Sequence, residues 1–196
     1  MSLVLGPDRE GDYLDLRDED FFNEDFDSAS FSSSFFKGCN FSSSSFRSSS
    51  FLDCTFIDCN LSSCDFSLSF FTRCKFVSCL FKGTIFTKTK MKDVKMEKCT
   101  FLYVSFDEGD MRNSGIYESK MNDGSFNSVN CRNVSIHSTS LSGTSFRDTM
   151  LSSLSLRMSD LGGIYLSQDA KELKGAKLDV SQALDIVKLF GAEIHE

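Results

Sequence analysis

The sequence predicts an all-β solenoid, a chain wound into short flat sides with regular corners. Three observations carry that prediction. The first is a strict period: the 31 residues at every fifth position from Leu16 to Leu166 are all Phe, Leu, Met, Ile or Cys. A period of five fits neither the 3.6 of a helix nor the 2 of a flat strand. The second is a companion series two places earlier, running Cys39, Ser44, Ser49, Cys54, Cys59, Cys64, Ser69, Cys74, Cys79, Thr84 and onward to Val104, nearly all small. A large inward residue paired with a small one is what a narrow, close-packed interior requires. The third is composition: 21 Phe against 4 Tyr and no Trp, with a single Pro, so one packing niche is filled repeatedly.

The elements follow in chain order. Residues 1–13 are expected to form an N-terminal cap segment, residues 14–178 the solenoid, and residues 179–196 a C-terminal helix and tail. The remaining three positions of each repeat are mostly Ser, Asp, Asn, Lys, Arg and Gly, as a solvated outer surface demands. Beyond residue 85, Phe86, Phe106, Phe126 and Phe146 recur twenty residues apart and should stack in one column. After Leu166 the register slips to Leu173 and Leu178. Ser181 to Phe190 then reads as a short helix stopped by Gly191.

Composition bounds the function. No stretch approaches the roughly 20 apolar residues of a membrane span, and no basic segment followed by an apolar run opens the chain. A soluble, cytoplasmic protein is expected. Seven of the eight cysteines fall in the small inward series and Cys131 takes a large-residue position, so they read as small core residues. Their spacing differs from the CxxC pairs of zinc sites. Of the two histidines, His137 follows the inward Ile136 onto the outer surface and His195 lies in the tail. No nucleotide loop, GxSxG or HExxH occurs, so neither an enzyme, a metal, a cofactor nor a small-molecule substrate is expected.

Charge is uneven. Asp8 to Asp27 hold ten acids against Arg9 and Arg17, a net of −8 that exceeds the whole formal charge of −7. Asp15, Asp18, Asp20, Asp25 and Asp27 are accounted for first as a solubilising cap on an exposed solenoid end, and second as a candidate acidic partner-binding surface. Between Arg73 and Lys98 the balance reverses. With twenty residues to a coil, Lys92, Arg112 and Arg132 would stack in an outward basic stripe, although direct nucleic-acid binding is not expected.

Segments such as Cys39-Asn40-Phe41, Cys59-Asn60-Leu61, Cys64-Asp65-Phe66 and Ser159-Asp160-Leu161 resemble the pentapeptide-repeat family, over about four fifths of the chain. The resemblance implies a right-handed quadrilateral β-helix, here about eight coils with a short C-terminal α-helix. At about 4.8 Å per coil the rod would be about 37 Å long and roughly 20 to 25 Å wide, near the dimensions of short duplex DNA. The tail, Leu173 to Asp179 followed by Gln182-Ala183, Ile186-Val187 and Phe190-Gly191, is similar to the topoisomerase-protecting branch of that family, the Qnr-type quinolone-resistance, albicidin-resistance and microcin-immunity proteins. That similarity implies an end-to-end homodimer through Leu178, Ala183, Ile186, Val187, Phe190 and Ile194. It also implies a DNA-like rod that engages gyrase or topoisomerase IV and protects it from a quinolone or peptide toxin. The chain departs from the Qnr type in having no insertion between Leu16 and Leu166 and a basic middle. The rival reading is an interaction scaffold, cytoplasmic or delivered as an effector, for a partner unrelated to DNA.

Overall fold

The computed structural model describes residues 9–193. Every fifth residue turns inward, and each coil closes after twenty residues, so the strand at Glu10–Asp12 pairs in parallel with Ser30–Ser32, and that with Ser50–Leu52. Four walls result. The first stacks seven strands, from Glu10–Asp12 to Asn130–Arg132, and the second stacks eight, from Asp15–Arg17 to Leu154–Ser155. The third carries three strands, Leu80–Lys82, Thr100–Leu102 and Lys120–Asn122, extended by single bridges such as Asp20 to Asn40. The fourth is held by single bridges from Asp25↔Ser45 to Ser145↔Tyr165. The solenoid makes about seven turns.

The interior is a lattice of phenylalanines. Phe66 stacks at 4.8 Å on Phe46 below and 5.1 Å on Phe86 above, and meets Phe51 and Phe71 edge-on in the neighbouring columns. Offset stacks along a column and edge contacts between columns are the two arrangements the ring quadrupole favours. The expected column Phe86, Phe106, Phe126 and Phe146 is continuous at 5.0, 4.7 and 5.5 Å.

The corners have a common backbone. Of the 31 positions two after each inward residue, from 13 to 163, thirty have positive φ: 26 are non-glycine and four are Gly38, Gly83, Gly143 and Gly163. Left-handed backbone costs an L-residue roughly 1 kcal/mol. The cost is offset because the same residue's N–H reaches the next coil, as Asp53 donates to Thr72 O at 3.0 Å. Only Ser153, inside a 3-10 turn at Leu151–Ser153, breaks the series.

The small inward position does more than make room. Ser44, Ser49, Ser69 and Thr84 each donate a hydroxyl to the carbonyl 23 residues back, in the coil below, at 2.6 to 2.7 Å. Cysteines occupy the same niche and direct their thiols at the equivalent carbonyl, Cys54 to Phe31 O at 3.4 Å and Cys64 to Phe41 O at 2.9 Å. They are weak donors as well as small apolar groups. All eight are buried and unpaired as disulfides.

The solenoid starts earlier than residue 14, because Glu10–Asp12 already pairs with the second coil. Gly11 stands there in place of a large residue. A Cβ at Gly11 would lie 2.8 Å from Phe31 and 2.9 Å from Leu14, whose side chains fill the space.

Candidate functional site

The open C-terminal end is closed by three devices. A 3-10 turn at Lys171–Leu173 buries Glu172, whose carboxylate accepts the Asp148 N–H at 2.8 Å, the Ser167 N–H at 3.2 Å and the Ser167 hydroxyl at 2.5 Å. Burial pushes the Glu172 carboxyl up, but these hydrogen bonds outweigh it and hold the group below the usual carboxylate range. Helix α1, Val180–Leu189, is capped by the Asp179 carboxylate, which accepts the Gln182 backbone N–H, while the Gln182 side-chain Oε1 accepts the Asp179 N–H. The Gln182 amide nitrogen then donates to Leu156 O at 2.5 Å and Ser159 O at 2.8 Å, satisfying carbonyls that have no further coil above them. Ile186, one turn further along, packs onto the core beside it.

This placement divides the expected dimer residues. Ile186 faces its own solenoid and is buried, so it belongs to the capping face and not to a free surface. The reason is helical spacing, since Gln182, Ile186 and Leu189 share one side. Leu178 is half-buried against the core. Ala183, Val187 and Phe190 point outward, Phe190 with 63% of its surface exposed. Ile194 lies outside the described residues. The outward face of the helix also presents Val180 and Leu184, and Met158 and Tyr165 are exposed on the last coil below it, four residues that sequence reasoning missed. A shallow hollow of about 390 Å³ lies between Tyr165 and Phe190 on this end.

The five candidate acids share one coil but not one face. Asp15 and Asp18 sit on the second wall and its corner, Asp20 on the third, and Asp25 and Asp27 on the fourth. They form a collar around the N-terminal end. Several are already engaged: Asp15 with Arg17 at 2.8 Å, Asp25 with Arg9 at 3.1 Å, and Asp27 with the Arg47 N–H at 2.8 Å. Exposed pairs of this kind contribute about 0 to 1 kcal/mol each.

The three candidate basic residues lie in one column. On the first wall Lys92 is in register with Arg112, and Arg112 with Arg132. The Arg112 guanidinium is gripped at both ends by Asp110, at 2.7 and 2.9 Å, and the hydrogen bonds from Arg112 hold the Asp110 carboxyl below its ordinary range. Lys90 lies 5.4 Å from the centre of the exposed Phe70 ring. Phe70, Lys90, Lys92, Asp110 and Arg112 border a groove of about 400 Å³.

His137 sits on the second wall with Nδ1 3.0 Å from its neighbour Ser138 Oγ. His195 lies outside the described residues. Among the described residues no group of three or more His, Cys, Asp or Glu side chains is arranged to hold a metal ion. No helix of the described residues is long and apolar enough to cross a membrane.

A known structure shares this fold. A trypsin-treated form of QnrB1, a plasmid-mediated fluoroquinolone resistance protein, superposes with a TM-score of 0.53 at 19% identity, covering 94% of this chain and 99% of that one. A second trypsin-treated QnrB1 structure matches at 0.42 and 18% identity, over 95% and 100% of the two chains. HetL, a pentapeptide repeat protein involved in heterocyst differentiation regulation in the cyanobacterium Nostoc, matches at 0.23 and 14%, over 88% and 90%. No curated protein sequence matches the chain. Two family profiles do, the pentapeptide repeat region over residues 29–106 and pentapeptide repeats (8 copies) over residues 130–168. With the five-residue inward period and the four stacked walls, these two profiles assign the chain to the pentapeptide-repeat family.

Proposed function

We propose that this protein binds a type II topoisomerase, gyrase or topoisomerase IV, and protects it from a quinolone or peptide toxin, acting as a cytoplasmic homodimer joined end to end. The carrying observation is the C-terminal end: Val180, Leu184, Val187 and Phe190 remain exposed on a helix whose other side is fully used in capping. Such an apolar end on a water-soluble rod needs a partner, and a second copy presents the same face in a two-fold arrangement. Joining two rods of about seven turns would give a particle about 70 to 80 Å long and of near-duplex width, with an acidic collar at each outer end. Anionic collars favour a cationic DNA-binding surface, where the rod competes with DNA by electrostatic complementarity. The role is binding and not catalysis.

The test is gyrase supercoiling with and without a fluoroquinolone as the protein is titrated in. Rescue of drug-inhibited supercoiling, or inhibition at higher dose, supports the reading. A Val187→Glu/Phe190→Glu double variant should run as a shorter particle and lose rescue. No effect in either condition leaves the scaffold reading, which the basic stripe on the first wall favours because a DNA-like rod has no use for it.

A further inference from the structure

The first wall differs from the second and third in how its outward residues are ordered along the rod. One column runs Asp12, Ser32, Leu52, Thr72, Lys92, Arg112 and Arg132, each in register with the next. Its neighbour runs Glu10, Ser30, Ser50, Phe70, Lys90, Asp110 and Asn130, and the one acid at its far end is taken up by Arg112 beside it. The wall therefore grades from acidic through apolar to basic. No comparable grade exists on the third wall, which has Asp20 and Asp160 at opposite ends, or on the second, where Arg17 sits at the acidic end and Arg157 at the other.

A graded face is complementary to itself. Rotating a second copy by half a turn about an axis parallel to the strands, through the Phe70–Thr72 strand, places column against column with the rods antiparallel. Asp12 then faces the other copy's Arg132, Ser32 faces Arg112, Leu52 lies along the Lys92 stem, and the two exposed Phe70 rings meet on the axis. Phe70 and Leu52 expose 46% and 41% of their surface, so the centre has apolar area to bury. Arg112 is held in place by Asp110 and needs no reordering. We infer that the first wall is a docking face for a second copy of this chain, packed side by side and antiparallel.

The observations favour a copy over nucleic acid. A uniformly anionic polymer along this wall would meet Glu10 and Asp12 with like charge and could use Lys90, Lys92, Arg112 and Arg132 over only about 10 Å. The inference is independent of the topoisomerase reading and of the contact at the C-terminal end. Six strand spacings of about 4.8 Å by a side of about 16 Å give roughly 460 Å² per copy, about 900 Å² in all. That is at the small end for a specific interface, so the association should be micromolar and strongly dependent on salt.

The experiment is sedimentation equilibrium in the Val187→Glu/Phe190→Glu background, which removes the end-to-end contact. At low salt a dimer should form, weakened at least tenfold at about 0.5 M salt. Arg132→Asp should weaken it at least tenfold, Asp12→Arg likewise, and the double variant should recover to within about threefold, since each mutant residue then faces its opposite. Phe70→Cys, oxidised with copper phenanthroline, should give a covalent dimer of that background, the native thiols being buried. A single-chain mass throughout at low salt overturns the inference, as does a dimer indifferent to Arg132→Asp. Binding of duplex DNA that is lost on Lys92→Glu would also overturn it, by giving the strip to nucleic acid.

Discussion

Replacing Phe66 by alanine tests the interior lattice at its most crowded point. The ring is completely buried, stacked on Phe46 and Phe86 at 4.8 and 5.1 Å and edge-on to Phe51 and Phe71 at 5.9 and 5.5 Å. Removing a buried phenyl group loses its transfer energy and leaves a cavity that the two flanking coils cannot close, since their spacing is set by strand hydrogen bonds. A cost of about 3 to 5 kcal/mol is expected. Phe66→Leu keeps most of the volume and should cost about 1.5 kcal/mol or less. Phe22→Ala is the control. Phe22 is one residue out of the inward register and 59% exposed, so its loss should lie within about 0.5 kcal/mol. Urea unfolding followed by circular dichroism measures all three, with an unchanged slope certifying that the same surface is exposed. A Phe66→Ala cost no larger than that of Phe22→Ala would refute the claim that the five-residue register holds the fold together.

Further predictions concern the thiols and the end cap. Burial pushes the Cys64 and Cys131 thiols up to about 12. A raised folded-state value stabilises fully below the unfolded thiol range near 8.5 and is lost as pH climbs toward 12, so unfolding free energy should fall over that window and Cys64→Ser should reduce the fall. The thiols should react with Ellman's reagent only as fast as the chain unfolds. Glu172 runs the other way: its lowered carboxyl stabilises above the unfolded range near 4.3 and that contribution is lost as pH falls below it, a dependence Glu172→Gln should remove. Gln182→Ala leaves Ser159 O unpaired under the helix, and Leu156 O with only the Ser159 N–H at 3.2 Å, and should cost about 1 to 3 kcal/mol, with faster amide exchange in the last coil.

Much of this architecture is legible because its interior repeats. Anything that recurs every five residues, such as the large residue at Phe66 and the small one at Cys64, is visible as a period. The left-handed corner recurs just as strictly, yet Ser63, Leu68, Arg73 and Lys88 share no side-chain chemistry. Backbone hydrogen bonds impose that conformation on any residue, so its only mark in the sequence is a preference for Gly, Asn, Asp and Ser at the corner. The hydroxyl contact from Ser44 to Phe21 O is hidden for a related reason, because smallness and hydrogen bonding select the same residues at that position. Helix α1 is legible as a helix but its inward side is not. Ile186 and Val187 are equally apolar, and only the carbonyls of Leu156 and Ser159, which draw in Gln182, decide which turns toward the rod.

Function on such a rod is written at a different period from the fold. The interior fixes each wall whatever the outward residues are, so outward residues are free to vary, and those that act together lie twenty positions apart. Read along the chain, Asp12, Leu52, Lys92 and Arg132 are unrelated; read by wall they form one graded strip. Conversely Asp15, Asp20 and Asp25 are neighbours in sequence and look like one anionic patch, but successive fives take them to three walls. A partner approaching one wall meets only a third or so of that charge, whereas a partner that encircles or abuts the end meets the whole collar. The acidic segment is therefore suited to end-on contact and the basic strip to side-on contact. Charge reversals should separate accordingly: Asp20→Lys should disturb end-on binding of a cationic partner and leave association through the first wall unchanged.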